Sequence, residues 1–434
     1  MLRMPLHWQI ILGLLAGVVY GILSATFGWS QFTTNWVTPF GDIFLNLLKL
    51  IAVPLVIGSL TTGVASLADM KKLSRIGGKT ITFYLVTTAI AVVIGLVVVN
   101  VLQPGHSLNP DLRDRLQSAY SGDAQSGLTA AELAKARGPL QILVDMVPDN
   151  VVGAASNNRD MLKMVFFSVL FGIALILIPS DKAKPLLDLL DGLTHAIIKI
   201  VELIMRVAPI GVFALIAKTI NQVAKDDIGA VIGLLQGLGF YCLVVILGLL
   251  LHLLLVYPLV LKLFTPMTLR KFFRGIAPAQ LLAFSSSSSG ATLPVTMEVT
   301  EKNLGVSEEI SAFVLPLGAT INMDGTALYQ AVAAVFIAQA LGMELGLAAQ
   351  LQIILTATLA SIGSAPVPGA GLIMLVIVLE SIGVPTAGIA LILGVDRILD
   401  MCRTVVNVTG DMVVATAIAA SEGQLAPDIR EVAG

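Results

Sequence analysis

The stretch AFSSSSSGATLP, residues 283–294, places five consecutive serines inside a strongly apolar chain. Serine, glycine and proline all disfavour the interior of a helix. At membrane depth an interrupted backbone is tolerated only where it is buried in protein or lines a polar cavity, whereas in a soluble protein a Ser/Gly run is usually a flexible linker. The interpretation of this stretch therefore depends on whether the chain lies in a membrane.

The composition indicates an all-α polytopic membrane protein. Of 434 residues, 56 % are hydrophobic and 12 % are charged, against about 25 % charged residues in a soluble domain. The longest apolar runs match the roughly 20 residues that cross a bilayer core of about 30 Å. Cys242 and Cys402 lie in apolar surroundings and show neither a disulfide framework nor a metal-ligand spacing.

The distribution of charge predicts the topology. A net charge of −2 does not favour a nucleic-acid partner. The links at 69–79 and 262–274 are basic, whereas the long polar link at 104–138 carries balanced charges. By the positive-inside rule the first two links face the cytoplasm and the third faces outward. We therefore expect a multi-pass protein of the inner (plasma) membrane with an uncleaved first helix and both termini in the cytoplasm.

The two halves of the chain differ in character. Ordinary spans are predicted in the first half near 8–28, 43–68, 79–102, 140–178 (interrupted), 190–221 and 228–264. Pro54 and Pro209 are expected to kink their helices. After residue 274 the first three apolar stretches are interrupted by SSSSSGATLP, ATINMDGT and ASIGSAPVPGAG respectively. The fourth apolar stretch contains the charged segment DMCRTVVNVTGD. This order predicts a hairpin, a broken helix, a second hairpin and a polar-faced helix, with an ion and substrate site at the bilayer midplane.

One face of the last predicted helix carries charge. Its members are three or four residues apart, so at 3.6 residues per turn they form a single stripe. A charge at the bilayer centre costs at least about 2.5 kcal/mol, so the stripe is expected to face a polar cavity, a ligand or ions. The stripe consists of Asp396, Asp400, Arg403, Asn407 and Asp411.

The chemistry of these side chains indicates their ligands. The planar fork of Arg403 suits a carboxylate, Asp400 suits an ammonium group, and Asn407 suits a second carboxylate or a cation. An amino acid with an acidic side chain presents these complementary groups. Asp411 and Asp324 have no obvious basic partner in the sequence, which is typical of hard cations bound by oxygen, and the interrupted INMDGT would add backbone carbonyls.

Four motifs in order resemble a known family. SSSSSGATLP, PLGATINMDGTALYQ, ASIGSAPVPGAG and DRILDMCRTVVNVTGD, together with VPDN in the fourth span, resemble the glutamate/aspartate transporters, the dicarboxylate/amino acid:cation symporters, in a prokaryotic form. The resemblance covers nearly the whole chain. It implies a non-enzymatic homotrimer with eight transmembrane helices plus two re-entrant hairpins in inverted repeats, which takes up L-aspartate or L-glutamate with Na⁺ by an elevator mechanism.

The same resemblance implies a division into domains. The scaffold would comprise 1–78 (helices 1 and 2) and 139–222 (helices 4 and 5). The transport domain would comprise 79–103 (helix 3) and 223–434, which holds helix 6, the first hairpin, helix 7, the second hairpin, helix 8 and a short C-terminal tail. Residues 104–138 would form an extracellular loop.

Matched residue by residue, the resemblance assigns Arg403 to the side-chain carboxylate of the substrate and Asp400 to its amino group. It adds substrate contacts at Thr326, Thr404 and Asn407. The first hairpin tip is Ser288, Ser289 and Gly290. The second, which acts as a gate, is Ala365, Pro366, Val367, Pro368 and Gly369.

The resemblance also implies three Na⁺ positions. The first is Gly318, Asn322, Asn407 and Asp411. The second is Thr320, Met323, Ser361, Ile362 and Ser364, and the third is Tyr84, Thr87, Thr88, Asn322 and Asp324. Gln330 stands where animal members carry a glutamate tied to proton and potassium movement, so neither of those couplings is expected.

The chain departs from the family pattern at three positions. A second arginine is usual either in the serine run or beside the substrate-binding aspartate, but Ser287 and Met401 occupy these places. Pro366 replaces a more usual glycine. Arg397 is one turn from Asp400 and could balance its charge.

Three alternatives remain beside Na⁺-coupled uptake of an acidic amino acid. The first is a proton-coupled, C4-dicarboxylate or neutral amino acid symporter of the same fold. The second, an intramembrane serine hydrolase, needs a histidine base, yet none of the four histidines is near the hairpins or on the stripe in sequence. The third alternative is a pure channel, which would not need a substrate-specific pair such as Arg403 and Asp400.

Overall fold

The computed structural model describes residues 6–65, 74–108, 144, 147–156, 161–223, 228–362, 364, 366 and 368–426. Within these residues the protein is helical, and one isolated antiparallel bridge joins Val306 to Leu425. Most of the predicted extracellular loop, two tip residues of the second hairpin (Ala365 and Val367) and the end of the C-terminal tail lie outside the described residues.

The first half contains the helices of the first five predicted spans. They are α1 (Leu6–Thr26), α2 (Ser30–Phe32), a π-helix (Thr33–Val37), α3 (Thr38–Leu55), a second π-helix (Val56–Leu60), α4 (Thr61–Ala65), α5 (Ser74–Leu102), a 3₁₀-helix (Pro104–Ser107), α6 (Val151–Ala155), α7 (Met161–Leu177) and α8 (Ser180–Val223). The fourth predicted span contains α6 and α7, and residues 157–160 between them lie outside the described residues.

The proline positions explain two irregularities. Within α8 the segments Ser180–Val201 and Arg206–Asn221 meet at 54°. This bend lies about one turn before Pro209, where a proline ring clashes with the carbonyl four residues earlier. The π-helix Val56–Leu60 directly follows α3, which contains Pro54. A break in the regular hydrogen-bond ladder is therefore found near each predicted kink.

The second half shows the expected alternation of broken helices and hairpins. Its elements are α9 (Ile228–Leu251), a third π-helix (His252–Val256), α10 (Tyr257–Phe264), α11 (Leu269–Ser286), α12 (Ser289–Lys302), α13 (Glu308–Ile321), α14 (Asp324–Ala340), α15 (Leu347–Ile362), α16 (Ala370–Ser381), a 3₁₀-helix (Thr386–Gly388) and α17 (Ile389–Ser421). α11 packs against α12 and α15 against α16, so each pair forms a helical hairpin.

Several helices have the length and composition of membrane spans. Among the described residues these are Trp8–Thr26, Ile76–Ser107, Ile232–Phe264 and Glu308–Ala340, with the bent α8 as a fifth if it counts as one span. Large apolar side chains such as Trp36 and Leu177 are exposed to 67 % and 76 %, which is typical of a surface that meets lipid. The chain is therefore a membrane protein, and the count of eight spans stays a prediction.

A row of glycines joins α1 to α8. Gly13, Gly17 and Gly21 are four residues apart, and a Cβ added at these positions would lie 2.4, 2.7 and 2.7 Å from Pro209 O, Phe213 O and Ile220 Cβ respectively. Small residues at this spacing let two membrane helices approach closely. The α1–α8 pair thus forms a tightly packed wall beside the second half.

The charged stripe lies inside the protein because α17 runs through its centre. α17 packs against α11, α13 and α14, and every residue of α14 is buried. On the other side, a Cβ at Gly394 would lie only 1.8 Å from Leu14 Cδ1, so α17 also closely approaches α1. The stripe therefore faces protein rather than lipid, as its charge requires.

Candidate functional site

The two hairpin tips meet each other. Ser287 ends α11 in the left-handed region (φ 54°), and the Ser288 side chain caps α12 by accepting a hydrogen bond from the Ala291 N–H. The Ser288 hydroxyl and the Gly290 N–H both donate to the Pro366 carbonyl, at 2.6 and 3.2 Å. The serine run thus makes a tight helix-to-helix turn, and the Ser288 hydroxyl and the Gly290 N–H join it to the second hairpin.

Arg403 forms the centre of a buried ion-pair network. Its Nη1 lies 3.0 Å from Asp396 Oδ1 and its Nη2 lies 2.7 Å from Asp400 Oδ1. Its guanidinium carbon stands 3.8 Å from the centroid of the Tyr329 ring, a favourable cation–π arrangement. Arg403 is fully buried, and its Nε has no hydrogen-bond partner among the described residues.

Asp400 is held by a second arginine. Arg397 Nη1 lies 3.4 Å from Asp400 Oδ2, and the Gly369 N–H donates to the same oxygen at 3.0 Å. The sequence left open whether the Arg397 side chain reaches Asp400, and the structure shows that it does. Two arginines and two carboxylates balance in charge, although neither Ser287 nor Met401 supplies the usual second arginine.

A small polar cavity lies between the hairpin tips and α17. Gly371 forms part of its wall, and a Cβ there would lie 3.2 Å from Arg403 Nη1, so the guanidinium is directly behind the wall. The lining is Ser287, Ser289, Met323, Thr326, Ser364, Pro366, Ala370, Gly371, Asp400, Thr404 and Asn407.

Five of the eleven predicted substrate contacts line this cavity, namely Ser289, Thr326, Asp400, Thr404 and Asn407. Asn407 connects α17 to the break before α14, because its Oδ1 accepts from the Gly325 N–H at 2.8 Å and its Nδ2 donates to Thr326 Oγ1 at 3.1 Å. Thr404 donates to the Asp400 carbonyl at 2.8 Å. Gly290 borders the cavity through its contact with Pro366, and Pro368 and Gly369 follow in the second tip. Val367 falls outside the described residues.

The first predicted cation group is compact. Asn322 Nδ2 donates to Asp411 Oδ1 at 3.0 Å. A Cβ on Gly318 would lie 2.5 Å from both Asp411 Oδ1 and Tyr84 OH, so only glycine leaves room for this arrangement. The Asn407 side chain turns instead toward Gly325, as described above.

The second predicted group is looser. The hydroxyls of Thr320 and Ser361 donate to carbonyls of their own helices, at 3.0 Å to Leu317 and 2.7 Å to Thr358. Met323 and Ser364 line the cavity, and Ile362 ends α15. The Ser364 hydroxyl is buried without a partner among the described residues.

The third predicted group surrounds Asp324. Thr88 donates to Asp324 Oδ1 at 2.6 Å and Thr87 stands 3.4 Å from the same oxygen and 3.5 Å from Asn322 Oδ1. Tyr84 OH donates to the Val314 carbonyl at 2.9 Å. α5 thus brings its hydroxyls against the start of α14.

The sequence interpretation missed two partners of Asp324. We expected no basic partner for this carboxylate, which is wrong: His252 Nε2 lies 3.1 Å from Asp324 Oδ2, and Tyr257 OH donates to the same oxygen at 2.9 Å. The pair is 72 residues apart in sequence, and His252 sits in an apolar run that resembles a plain span. The signal that could have found it is a histidine at membrane depth, which needs a polar partner.

The serine run has none of the contacts that a hydrolase needs. The hydroxyls of Ser285, Ser286 and Ser288 have backbone oxygens as acceptors, and no histidine in the described part of the chain bonds to them. A serine nucleophile requires an adjacent base.

The chain is similar in sequence to known transport proteins. The profile of the sodium:dicarboxylate symporter family matches residues 6–421. A proton/sodium-glutamate symport protein of Geobacillus stearothermophilus is 37 % identical over 98 % of this chain and 96 % of its own length. The proton/glutamate-aspartate symporter of Escherichia coli (strain K12) is 35 % identical over 96 % and 93 %. A C4-dicarboxylate transport protein of Agrobacterium fabrum is 35 % identical over 97 % and 89 %. The chain belongs to the sodium:dicarboxylate symporter family.

Proposed function

We propose that this protein is a secondary active symporter, and not an enzyme, which couples the inward movement of Na⁺ to uptake of L-aspartate or L-glutamate. The observation that carries the proposal is the pairing of Arg403 with Asp400 beside one cavity, at 2.7 Å and both buried. An acidic amino acid offers a carboxylate to the first and an ammonium group to the second. Each charge of the site then has a charge of the substrate to match it.

Binding is an exchange of partners. In the structure, Asp396 and Asp400 hold Arg403. The side-chain carboxylate of the substrate replaces Asp400 at the guanidinium, for which Nε is also free among the described residues, while the substrate ammonium pairs with Asp400. No buried charge is left alone, which would otherwise cost about 3–5 kcal/mol.

The same exchange discriminates between substrates. A neutral amino acid brings no second carboxylate, so Arg403 would lose Asp400 without a replacement. A dicarboxylate without an amine would place negative charge against Asp400. Specificity for an acidic amino acid therefore follows from both members of the pair.

Na⁺ is proposed as the coupling ion, with more than one ion per cycle. Asp324 and Asp411 are both buried. Asn322 Nδ2 donates to Asp411 Oδ1, and Asn322 Oδ1 lies 3.5 Å from the Thr87 hydroxyl, which is 3.4 Å from Asp324 Oδ1. Carboxylate, amide, hydroxyl and backbone carbonyl oxygens suit a hard cation. A bound cation would offset the buried negative charge, which would favour closure of the second hairpin over the substrate.

The mechanism proposed is an elevator within a homotrimer of the inner membrane, with both termini in the cytoplasm. The transport domain (79–103 and 223–434) would move against the scaffold (1–78 and 139–222). The second hairpin would act as the gate, an assignment supported by the contact of Pro366 with the first tip. Opening of this gate would require release of the Pro366 carbonyl from Ser288 and Gly290, and release of the Gly369 N–H from Asp400.

A C4-dicarboxylate symporter of the same fold is the second candidate. It is favoured by the relative from Agrobacterium fabrum, which is named for C4-dicarboxylate transport. The presence of Asp400 in the cavity wall is the observation that favours an amino acid instead.

A substrate panel in reconstituted liposomes separates these candidates. Labelled L-aspartate, L-glutamate, succinate and L-serine are offered under the same inward Na⁺ gradient, to the wild type and to Asp400→Asn. We expect the two acidic amino acids to accumulate, succinate and L-serine to stay outside, and Asp400→Asn to lose aspartate uptake. Succinate uptake equal to that of L-aspartate would refute the amino acid assignment.

A further inference from the structure

Two aromatic side chains of the sixth predicted span hold a single oxygen of Asp324. His252 Nε2 and Tyr257 OH lie 3.1 and 2.9 Å from Asp324 Oδ2. All three residues are fully buried. Because a carboxylate accepts hydrogen bonds, both rings are placed as donors to Oδ2.

The third π-helix explains how both rings reach one oxygen. His252 and Tyr257 are five residues apart, which on an α-helix would separate them by about 140° around the axis. In a π-helix residue i bonds to i+5, so residues five apart stand nearly one above the other. The segment His252–Val256 is such a π-helix, and the two rings meet edge to face at 4.7 Å and 78°. The local helix type therefore creates the pair.

The second oxygen of the carboxylate faces different groups. Asp324 Oδ1 accepts from Thr88 at 2.6 Å, with Thr87 at 3.4 Å. Hydroxyls can rotate and turn a lone pair toward a cation, whereas the ring N–H and phenol that face Oδ2 are held by their rings. The two oxygens of the Asp324 carboxylate therefore differ. Oδ2 is held in place by the two rings, whereas Oδ1 is available to coordinate a cation.

α17 supports the tyrosine from behind. Tyr257 OH is also 3.0 Å from the Val406 carbonyl. A Cβ on Gly410 would lie 2.5 Å from this hydroxyl and 2.8 Å from Asn322 Nδ2. The absence of a side chain at 410 therefore leaves space for the phenol and for the amide that reaches Asp411.

We infer that His252 and Tyr257 are positioning residues for a Na⁺ ion at Asp324. They hold Oδ2 so that Oδ1 and the hydroxyls of Thr87 and Thr88 converge on the ion. The inference rests on the proposed Na⁺ coupling and deepens it. Loss of the outer partners of metal-site ligands typically lowers metal affinity about 10- to 100-fold.

The test measures Na⁺ binding without transport. The melting temperature of the purified full-length protein in detergent is followed as NaCl replaces choline chloride, and the Na⁺ concentration that gives half of the stabilisation is read from the titration. We expect His252→Leu and Tyr257→Phe to raise this concentration about 10- to 100-fold. His252→Gln, which keeps an N–H donor, should return it to within a few-fold of the wild type. His195→Leu, at an exposed histidine of α8, is the matched control and should leave it unchanged.

The outcomes separate the possible roles. A lower melting temperature with an unchanged Na⁺ midpoint would mean that the rings only pack, and would overturn the inference. Tyr257→Phe removes one oxygen and keeps the ring, so the test does not depend on a variant that fails to fold. A wild-type protein whose melting temperature ignores Na⁺ would refute the proposed coupling ion first, and the inference with it.

Discussion

Replacement of Arg403 by cysteine should abolish uptake of acidic amino acids. Arg403 has contacts at 3.0 Å to Asp396 and 2.7 Å to Asp400, and it stands 3.8 Å from the centroid of the Tyr329 ring. The variant removes the guanidinium behind the cavity wall at Gly371, which suits a substrate carboxylate. Two carboxylates would remain, so an acidic substrate would meet like charge.

The size of the effect follows from burial. Removing one partner from a buried ion pair costs about 3–5 kcal/mol, because the remaining charge is left without compensation. At about 1.4 kcal/mol per tenfold, this corresponds to a loss of roughly 10²- to 4 × 10³-fold in affinity for L-aspartate. Arg403→Lys keeps the charge but loses the planar fork, so an intermediate loss is expected.

The assay is uptake of labelled L-aspartate and L-serine by liposomes that contain equal amounts of wild type, Arg403→Cys or Arg403→Lys. Arg403→Cys should lose uptake of L-aspartate. Its uptake of L-serine should be no lower than that of the wild type, because L-serine has no side-chain carboxylate that needs the guanidinium. Aspartate uptake by Arg403→Cys at the wild-type rate would refute the assignment of this residue to the substrate carboxylate.

Three further variants test other parts of the site. Gly318→Ala would place a Cβ 2.5 Å from Asp411 Oδ1, so the Na⁺ concentration for half-maximal uptake should rise at least about tenfold. Gly239→Ala is the control, because Gly239 has open space around it, and its Na⁺ concentration for half-maximal uptake should match that of the wild type. Asp411→Asn removes a buried negative charge and should weaken the Na⁺ dependence of uptake; an unchanged Na⁺ titration would contradict its role. Arg397→Gln removes a competitor for Asp400, so the KM for L-aspartate should fall by about tenfold, or roughly 1.4 kcal/mol, and a raised KM would argue against the exchange of partners.

Patterns of short range predicted much of the architecture. The serine run and the ASIGSAPVPGAG segment indicated two hairpins, because such residues interrupt a helix wherever they occur. The break at Asn322 and Met323 and the single face of the α17 stripe likewise depend on neighbours within a few residues. Each of these features is present in the described chain.

Pairings across long distances in sequence could not be predicted. Periodicity placed Asp396, Asp400 and Arg403 on one face but did not show that both carboxylates bind the same guanidinium. The contact of His252 with Asp324 depends on a π-helix, and the apolar sequence of that span does not predict a π-helix. The meeting of Ser288 with the Pro366 carbonyl depends on how two hairpins pack, which is a property of the whole fold.

Uptake of labelled L-aspartate into liposomes that contain the purified wild-type protein, driven either by an inward Na⁺ gradient or by an inward proton gradient alone, decides the coupling ion. We expect accumulation above equilibrium with the Na⁺ gradient and none with protons alone, because the oxygen-rich groups at Asp324 and Asp411 are proposed to hold Na⁺. Equal accumulation on a proton gradient in the absence of Na⁺ would contradict this coupling.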